Sequence, residues 1–118
     1  MDNLNFKALA LDWIDGWNKR DIERIMNHYA DDIIFYSPTV IKRWNIADGK
    51  ITGRQKLKEH FLKGFEVAPD LHFEFVDLLF GTDGVTIIYK RESGQLAADS
   101  IVLNENGKAV MVKAYYSH

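Results

Sequence analysis

An α+β domain, with helices packed on one face of a curved, mainly antiparallel sheet, is the fold class this sequence predicts. Three observations predict it. Apolar residues recur at three-and-four spacing through much of the first half. From Leu71 onward the pattern changes to that of strands. The separators in that second half, Gly81-Thr82-Asp83-Gly84, Ser93-Gly94 and Asn104-Glu105-Asn106-Gly107, are rich in residues that tolerate positive φ and so have hairpin chemistry. Helices early and an antiparallel meander late argue for segregated layers.

Taken in order, the first helix is expected over Leu4 to Trp17, with Phe6, Leu9, Ala10, Trp13, Ile14 and Trp17 on its apolar stripe. Asn18-Lys19-Arg20 breaks the pattern, and Asp21 is an N-cap whose carboxylate can accept an orphan backbone N–H. A short second helix then runs to about Tyr29, and Ala30-Asp31-Asp32 ends it. Ile33 to Ser37 reads as a strand, stopped by Pro38, which cannot donate to a ladder. Thr39 to Thr52 is the least regular stretch. A third helix follows Gly53, with Leu57, Phe61, Leu62 and Phe65 on one face, and Ala68-Pro69-Asp70 redirects the chain. Four strands complete it: Leu71–Phe80, Val85–Glu92, Leu96–Leu103 and Ala109–Tyr116.

The chain of 118 residues is read as one domain, 1–118, large enough to bury a core. A net charge of −2 gives no electrostatic case for nucleic acid or an acidic membrane as partner. No apolar run approaches the ~20 residues of a membrane span. The absence of cysteine removes thiolate chemistry and disulfides and fits a reducing compartment. The first residues lack a basic segment followed by a long apolar core, so no secretory leader is expected and the location is read as cytoplasmic. The aromatic content of 13% is more flat apolar surface than a small core requires, and it suits a lined cavity.

At this point the residues resemble a family. Trp13-x3-Trp17-Asn18-x2-Asp21, then Tyr29-Ala-Asp-Asp32, Phe35-x-Ser37-Pro38, a helix opened by Gly53, and a tail from Asp99 through Asn104-Glu-Asn-Gly107-Lys108 to Ala114-Tyr115-Tyr116 are similar to the nuclear transport factor 2-like superfamily. The resemblance is closest to its SnoaL-like polyketide-cyclase branch. It implies a cone-shaped, cystatin-like α+β barrel in which three N-terminal helices close a strongly bent sheet around a cavity. It also implies cofactor-independent chemistry or plain binding of an apolar cyclic or polyketide-like molecule, and a homodimer formed through the outer face of the sheet, to which Tyr36, Met111 and Tyr115 would contribute. Fold alone does not settle function in such a family. Ketosteroid isomerase, a member, uses a tyrosine, a carboxylate base before a proline and a late aspartic acid. Those positions are Trp13, Ser37 and Asp99 here, and only the last agrees in type, so the resemblance does not extend to steroid isomerisation.

Asp99 is the most informative residue. It sits in the apolar strand Leu96–Leu103, where a carboxylate must be paired, hydrogen-bonded or shifted in pKa. Its expected role is a general acid/base, against the plainer reading of a carboxylate satisfied by a backbone N–H, a lysine or water. His60, at the edge of the third helix's apolar face, is the imidazole best placed to join it, although a lone histidine there is more often a satisfied core residue. Strand alternation puts Ile33, Phe35 and Ser37 on one face and Val110, Val112, Ala114 and Tyr116 on another. The expected ligand-contacting set is Trp13, Trp17, Phe35, Ser37, Trp44, Phe61, Phe65 and Tyr116, with Trp44 as a lid. Asp31 and Asp32 are expected to serve the turn rather than catalysis. No histidine or carboxylate spacing suggests a ligand set, so no metal is expected.

Overall fold

A computed structural model describes residues 3–118, with side chains from residue 5. Among the described residues the helices are α1 (Asn3–Asn18), α2 (Ile22–Met26), α3 (Pro38–Trp44) and α4 (Arg54–Val67). The strands are β1 (Tyr29–Tyr36), β2 (Lys50–Thr52), β3 (Phe73–Phe80), β4 (Gly84–Arg91), β5 (Leu96–Leu103) and β6 (Ala109–Tyr116). They form one six-stranded sheet in the order β2-β1-β6-β5-β4-β3, antiparallel except where β1 runs parallel to β6. The expected α+β cone is therefore present, as a curved sheet that does not close. Register shifts within β1, within β3 and at the far end of the β5–β6 pair bend the sheet around its helices, as bulges do. No helix among the described residues is long and apolar enough to cross a membrane.

The expected apolar stripe of α1 is buried at Ala10, Trp13, Ile14 and Trp17. Its C-terminus is tied to the sheet by Asn18, whose side-chain amide donates to the Phe73 carbonyl at 2.8 Å while its oxygen accepts the Phe73 N–H at 2.7 Å. Asp21 caps α2 as expected, accepting the Arg24 N–H at 3.2 Å. Arg24 then reaches back to Asp12 and Asp15 of α1 at 2.6 Å and 2.5 Å, which sets the angle between the two helices.

Four expectations need correction. The second helix ends at Met26, not Tyr29, because the His28 carbonyl accepts the Ala109 N–H at 2.9 Å and draws the chain alongside β6. Tyr29 thus opens β1, and Asp31 and Asp32 are exposed strand residues within its irregular part rather than a helix stop. The stretch 39–52 is ordered. Ser37 is the N-cap of α3, Pro38 is its first residue, where a missing N–H costs nothing, and Lys50–Thr52 pairs with β1 as an edge strand. There are accordingly four helices rather than three among the described residues. Leu62 is 44% exposed, and α4 instead buries Leu57, His60, Phe61 and Gly64. At Gly64 a side chain would meet the Arg43 guanidinium at 3.1 Å, so α3 lies close over this face of α4.

Candidate functional site

The sheet's concave side carries every second residue of β4, β5 and β6. Period two places Val85, Ile87 and Tyr89 inward on β4, and Ala97 and Asp99 inward on β5. Val112 and Ala114 are buried on β6 in the same way, and Tyr116 continues their face, half-buried. Trp13 and Trp17 from α1 and Phe61 from α4 come down on this face, with Trp13 5.5 Å from Tyr89 and Trp17 4.8 Å from Phe61, ring centre to ring centre. Between the layers lies a cavity of about 50 Å³ whose walls include Trp13, Trp17, Phe35, Phe61, Phe73 and Tyr89. Asp99, His60, Thr39, Arg43, Arg91 and Tyr116 supply its polar lining. A second, apolar cavity of about 40 Å³ lies towards the start of α1. Trp13 and Tyr29 stand on its boundary, and the Trp13 indole N–H donates to the Tyr29 hydroxyl at 2.9 Å.

Asp99 is 4% exposed. Its hydrogen-bond partner is the Tyr89 hydroxyl, which donates to Oδ1 at 3.1 Å, and no cation among the described residues pairs with it. Burial therefore dominates and pushes its carboxyl up to about 7, the Tyr89 hydrogen bond opposing this only in part. The phenols of Tyr29, Tyr89 and Tyr116 are all raised by burial, and the nearby Asp99 charge adds to each. All three remain hydroxyls at neutral pH, able to donate. One carboxyl beside the phenols of Tyr89 and Tyr116, in an apolar shell, is the chemical centre of the cavity.

His60 is buried and bonded at both ring nitrogens. The Trp44 indole N–H donates to Nδ1 at 2.9 Å, and Nε2 lies 3.0 Å from the Thr39 hydroxyl. Indole can only donate, so Nδ1 carries a lone pair and the ring proton of the neutral imidazole sits on Nε2, pointing to Thr39. Thr39 Oγ1 is 2.7 Å from Ser37 Oγ, and the nearby Ser37 hydroxyl opposes in part the upward shift of the Tyr116 phenol. A continuous chain thus runs from Trp44 through His60 and Thr39 to Ser37. Burial, with the positive Arg43 alongside, lowers the His60 imidazole to about 4, so the neutral ring and this polarity of the chain hold at physiological pH.

The expected residues divide as follows. Trp13, Trp17, Phe35, Phe61, Tyr116, Asp99 and His60 meet at one cavity. Ser37 does not line it: its oxygen caps α3 by accepting the Thr39 N–H at 3.1 Å. Phe65 packs behind Trp17 at 5.2 Å, and Trp44, 42% exposed, reaches the site only through His60. Arg43, Arg91, Thr39, Tyr89, Leu71 and Phe73 line the cavity without having been singled out from the sequence. Tyr89 and Arg91 were accessible by alternation on β4, two and four residues beyond the apolar Ile87. Arg43 and Thr39 belong to the helix that was not expected.

Comparison with known proteins agrees with this geometry. The SnoaL-like domain family model matches residues 10–114. A SnoaL-like protein of unknown function from Burkholderia thailandensis is 28% identical, with 99% of this chain and 98% of that one aligned at a TM-score of 0.94. A SnoaL-like family protein from Agrobacterium tumefaciens, described as a candidate isomerase, is 15% identical over 96% and 97% of the two chains at a TM-score of 0.75. A candidate polyketide cyclase from Sinorhizobium meliloti is 10% identical over 98% and 100% at 0.76. Among curated proteins, none matches the chain. With a curved six-stranded sheet closed by helices, a polar centre deep in its concave side and a family match spanning nearly all of it, this chain belongs to the SnoaL-like domain family.

Proposed function

We propose that this protein is an isomerase, lyase or cyclase that moves a proton on a small molecule through its own side chains, with Asp99 as the acid/base. The observation that carries the reading is the Asp99 carboxyl, buried against an apolar cavity, bonded by Tyr89 and held near pH 7. A group poised there takes a proton and gives it back with little bias either way, which suits general acid/base work at neutral pH. Asp99 would remove a proton from a carbon next to a carbonyl and return it to a second carbon or to a departing oxygen. The hydroxyl of Tyr116, which lines the cavity, would donate to the oxygen that becomes negative. The aromatic wall would hold the apolar, cyclic or polyketide-like body of the substrate. His60, with both nitrogens engaged, fits the role of a positioning residue for Thr39 at the cavity wall better than that of a second base. The family and its neighbours described as candidate isomerase and cyclase support the reaction class.

The test is exchange of carbon-bound hydrogen in deuterated buffer, followed by NMR over a panel of cyclic β-diketones and β-keto esters. Exchange should be accelerated by the wild type and lost in Asp99→Asn, a neutral near-isostere that keeps the volume. An Asp99→Asn protein that exchanges as fast as wild type sinks the assignment. A second reading, a binding module without chemistry, draws on the small size of the cavity and on Trp13, whose N–H is already spent on Tyr29. It would be favoured by ligand binding without exchange. Either activity is compatible with a homodimer through the outer sheet face, which we also propose.

A further inference from the structure

We propose that the cavity receives its ligand as a carboxylate, seated between the guanidinium groups of Arg43 and Arg91, with the apolar body of the ligand directed inward over the aromatic wall. The proposal rests on the acid/base reading only for its orientation of the ligand, not for the anion site itself.

Four residues of the cavity lining retain partial exposure at its polar end, namely Thr39, Arg43, Arg91 and Tyr116, and they mark its mouth. Arg43 lies in the last turn of α3 and Arg91 ends β4, so the two cations come from opposite layers of the fold. Both bear on Tyr116: the Arg91 guanidinium stands 5.8 Å from its ring centre, and the Arg43 charge acts on its phenol. They also act on each other, since burial and the neighbouring positive Arg91 lower Arg43 from its ordinary value.

Two like charges held together in a half-buried cleft need an anion, and the protein supplies little. Among the described residues no carboxylate lies within 4 Å of Arg43, whose recorded hydrogen bond is a long one, 3.4 Å, to the His60 carbonyl. Arg91 has Glu92 at 3.5 Å, but that carboxylate also accepts the His72 N–H at 3.1 Å, and Arg91 Nε is buried with no partner. Three buried side-chain donors lack a partner among the described residues, and two of them, Arg91 Nε and Trp17 Nε1, belong to residues that line this one cavity, the third being Arg54 Nε outside it. A buried donor left unpaired calls for an acceptor. Asp99, deeper in the same cavity, is bonded by Tyr89 and forms no ion pair with either arginine.

The chemistry selects a carboxylate. Guanidinium forks match its planar oxygens in a two-point fashion. A dianionic phosphate would share the small cavity with Asp99 and be opposed by it. The α3 N-terminus is closed by Ser37 and offers phosphate no site. A bound carboxylate also bears on the mechanism: its negative charge makes the ionised Asp99 a stronger base towards the ligand's C–H.

Isothermal titration with matched probes tests this: acetoacetate against its methyl ester, benzoate against benzamide, and inorganic phosphate. The wild type should bind each carboxylate at least tenfold more tightly than its neutral partner and more tightly than phosphate. Arg43→Gln and Arg91→Gln should each weaken carboxylate binding about tenfold and remove the preference over the neutral partner, with circular dichroism confirming the fold. Equal binding of acid and neutral partner, phosphate binding as strong as carboxylate, or carboxylate affinity unchanged in both variants would each overturn the proposal. Asp99→Asn separates the two claims. If it keeps carboxylate binding and keeps exchange, the acid/base reading fails alone. If wild-type exchange depends on Asp99 while carboxylates show no preference, the anion site fails alone.

Discussion

Asp99 and His60 line one cavity, are both buried, and respond to pH in opposite senses. Asp99 has its folded-state pKa raised from 3.8 to about 7, so the folded state holds a proton that the unfolded chain has lost. Its contribution to stability is present below pH 4 and disappears as the pH rises through 7. His60 is lowered from 6.5 to about 4, so its contribution is present above pH 6.5 and is lost as the pH falls through 4. Between those limits the two oppose each other. Replacing Asp99 by Asn removes one side of the balance. The stability of Asp99→Asn relative to wild type should therefore climb with pH between about 4 and 7, by up to ~1.4 kcal/mol per pH unit. Urea unfolding at pH 4.5, 5.5 and 6.5 measures it, and a difference that stays constant across the series would refute a buried, elevated Asp99. Both residues were legible in the sequence as chemistry in apolar surroundings. Their partners were not, because Tyr89 reaches Asp99 across the β4–β5 ladder and Trp44 reaches His60 across two helices.

Among the elements, α3 was the one the sequence pattern hid. Val40 is its sole buried residue, so it lacks an amphipathic stripe, and seven residues are too few for a period to emerge. Its local signals were nonetheless present: a serine followed by proline is an N-cap and first-turn pair, and Asn45 closes the helix at φ 56°. The strands were read more easily, since alternation survives wherever one face is buried. One close approach holds the β4–β5 pair. A side chain at Gly84 would stand 1.7 Å from the Ile101 carbonyl oxygen, so the position accepts only hydrogen there. Gly84→Ala should force these backbones apart and cost about 2 kcal/mol, visible as a lower urea midpoint. A midpoint equal to wild type would mean that the contact relaxes without cost. This effect belongs to the strand pair and not to the cavity, so carboxylate binding by the folded fraction should persist.

At the scale of the molecule, the sheet presents one face to the helices and leaves the other to solvent. Tyr115 is 57% exposed on that outer face, and the Lys113 ammonium lies 5.7 Å from the ring centre of Tyr36 beside it. If two copies pair through this face, Tyr115→Lys places a second charge next to Lys113 and its counterpart across the interface. Light scattering should then report a monomer in place of a dimer, while a mass unaffected by the substitution would remove this face from consideration. By itself the sequence determined the α+β class, the hairpin meander, the aromatic stripe of α1, the cap at Asp21 and the presence of a carboxyl inside an apolar strand. These follow from period, turn chemistry and the cost of burying charge, all of which act over a few neighbouring residues. Only the tertiary structure decided that β1 lies parallel to β6, that α3 closes over Gly64, and that Arg43 and Arg91 meet at the mouth of the cavity. Those depend on packing between segments tens of residues apart, where one missing side chain or one bulge sets which groups face each other, and no local pattern records that.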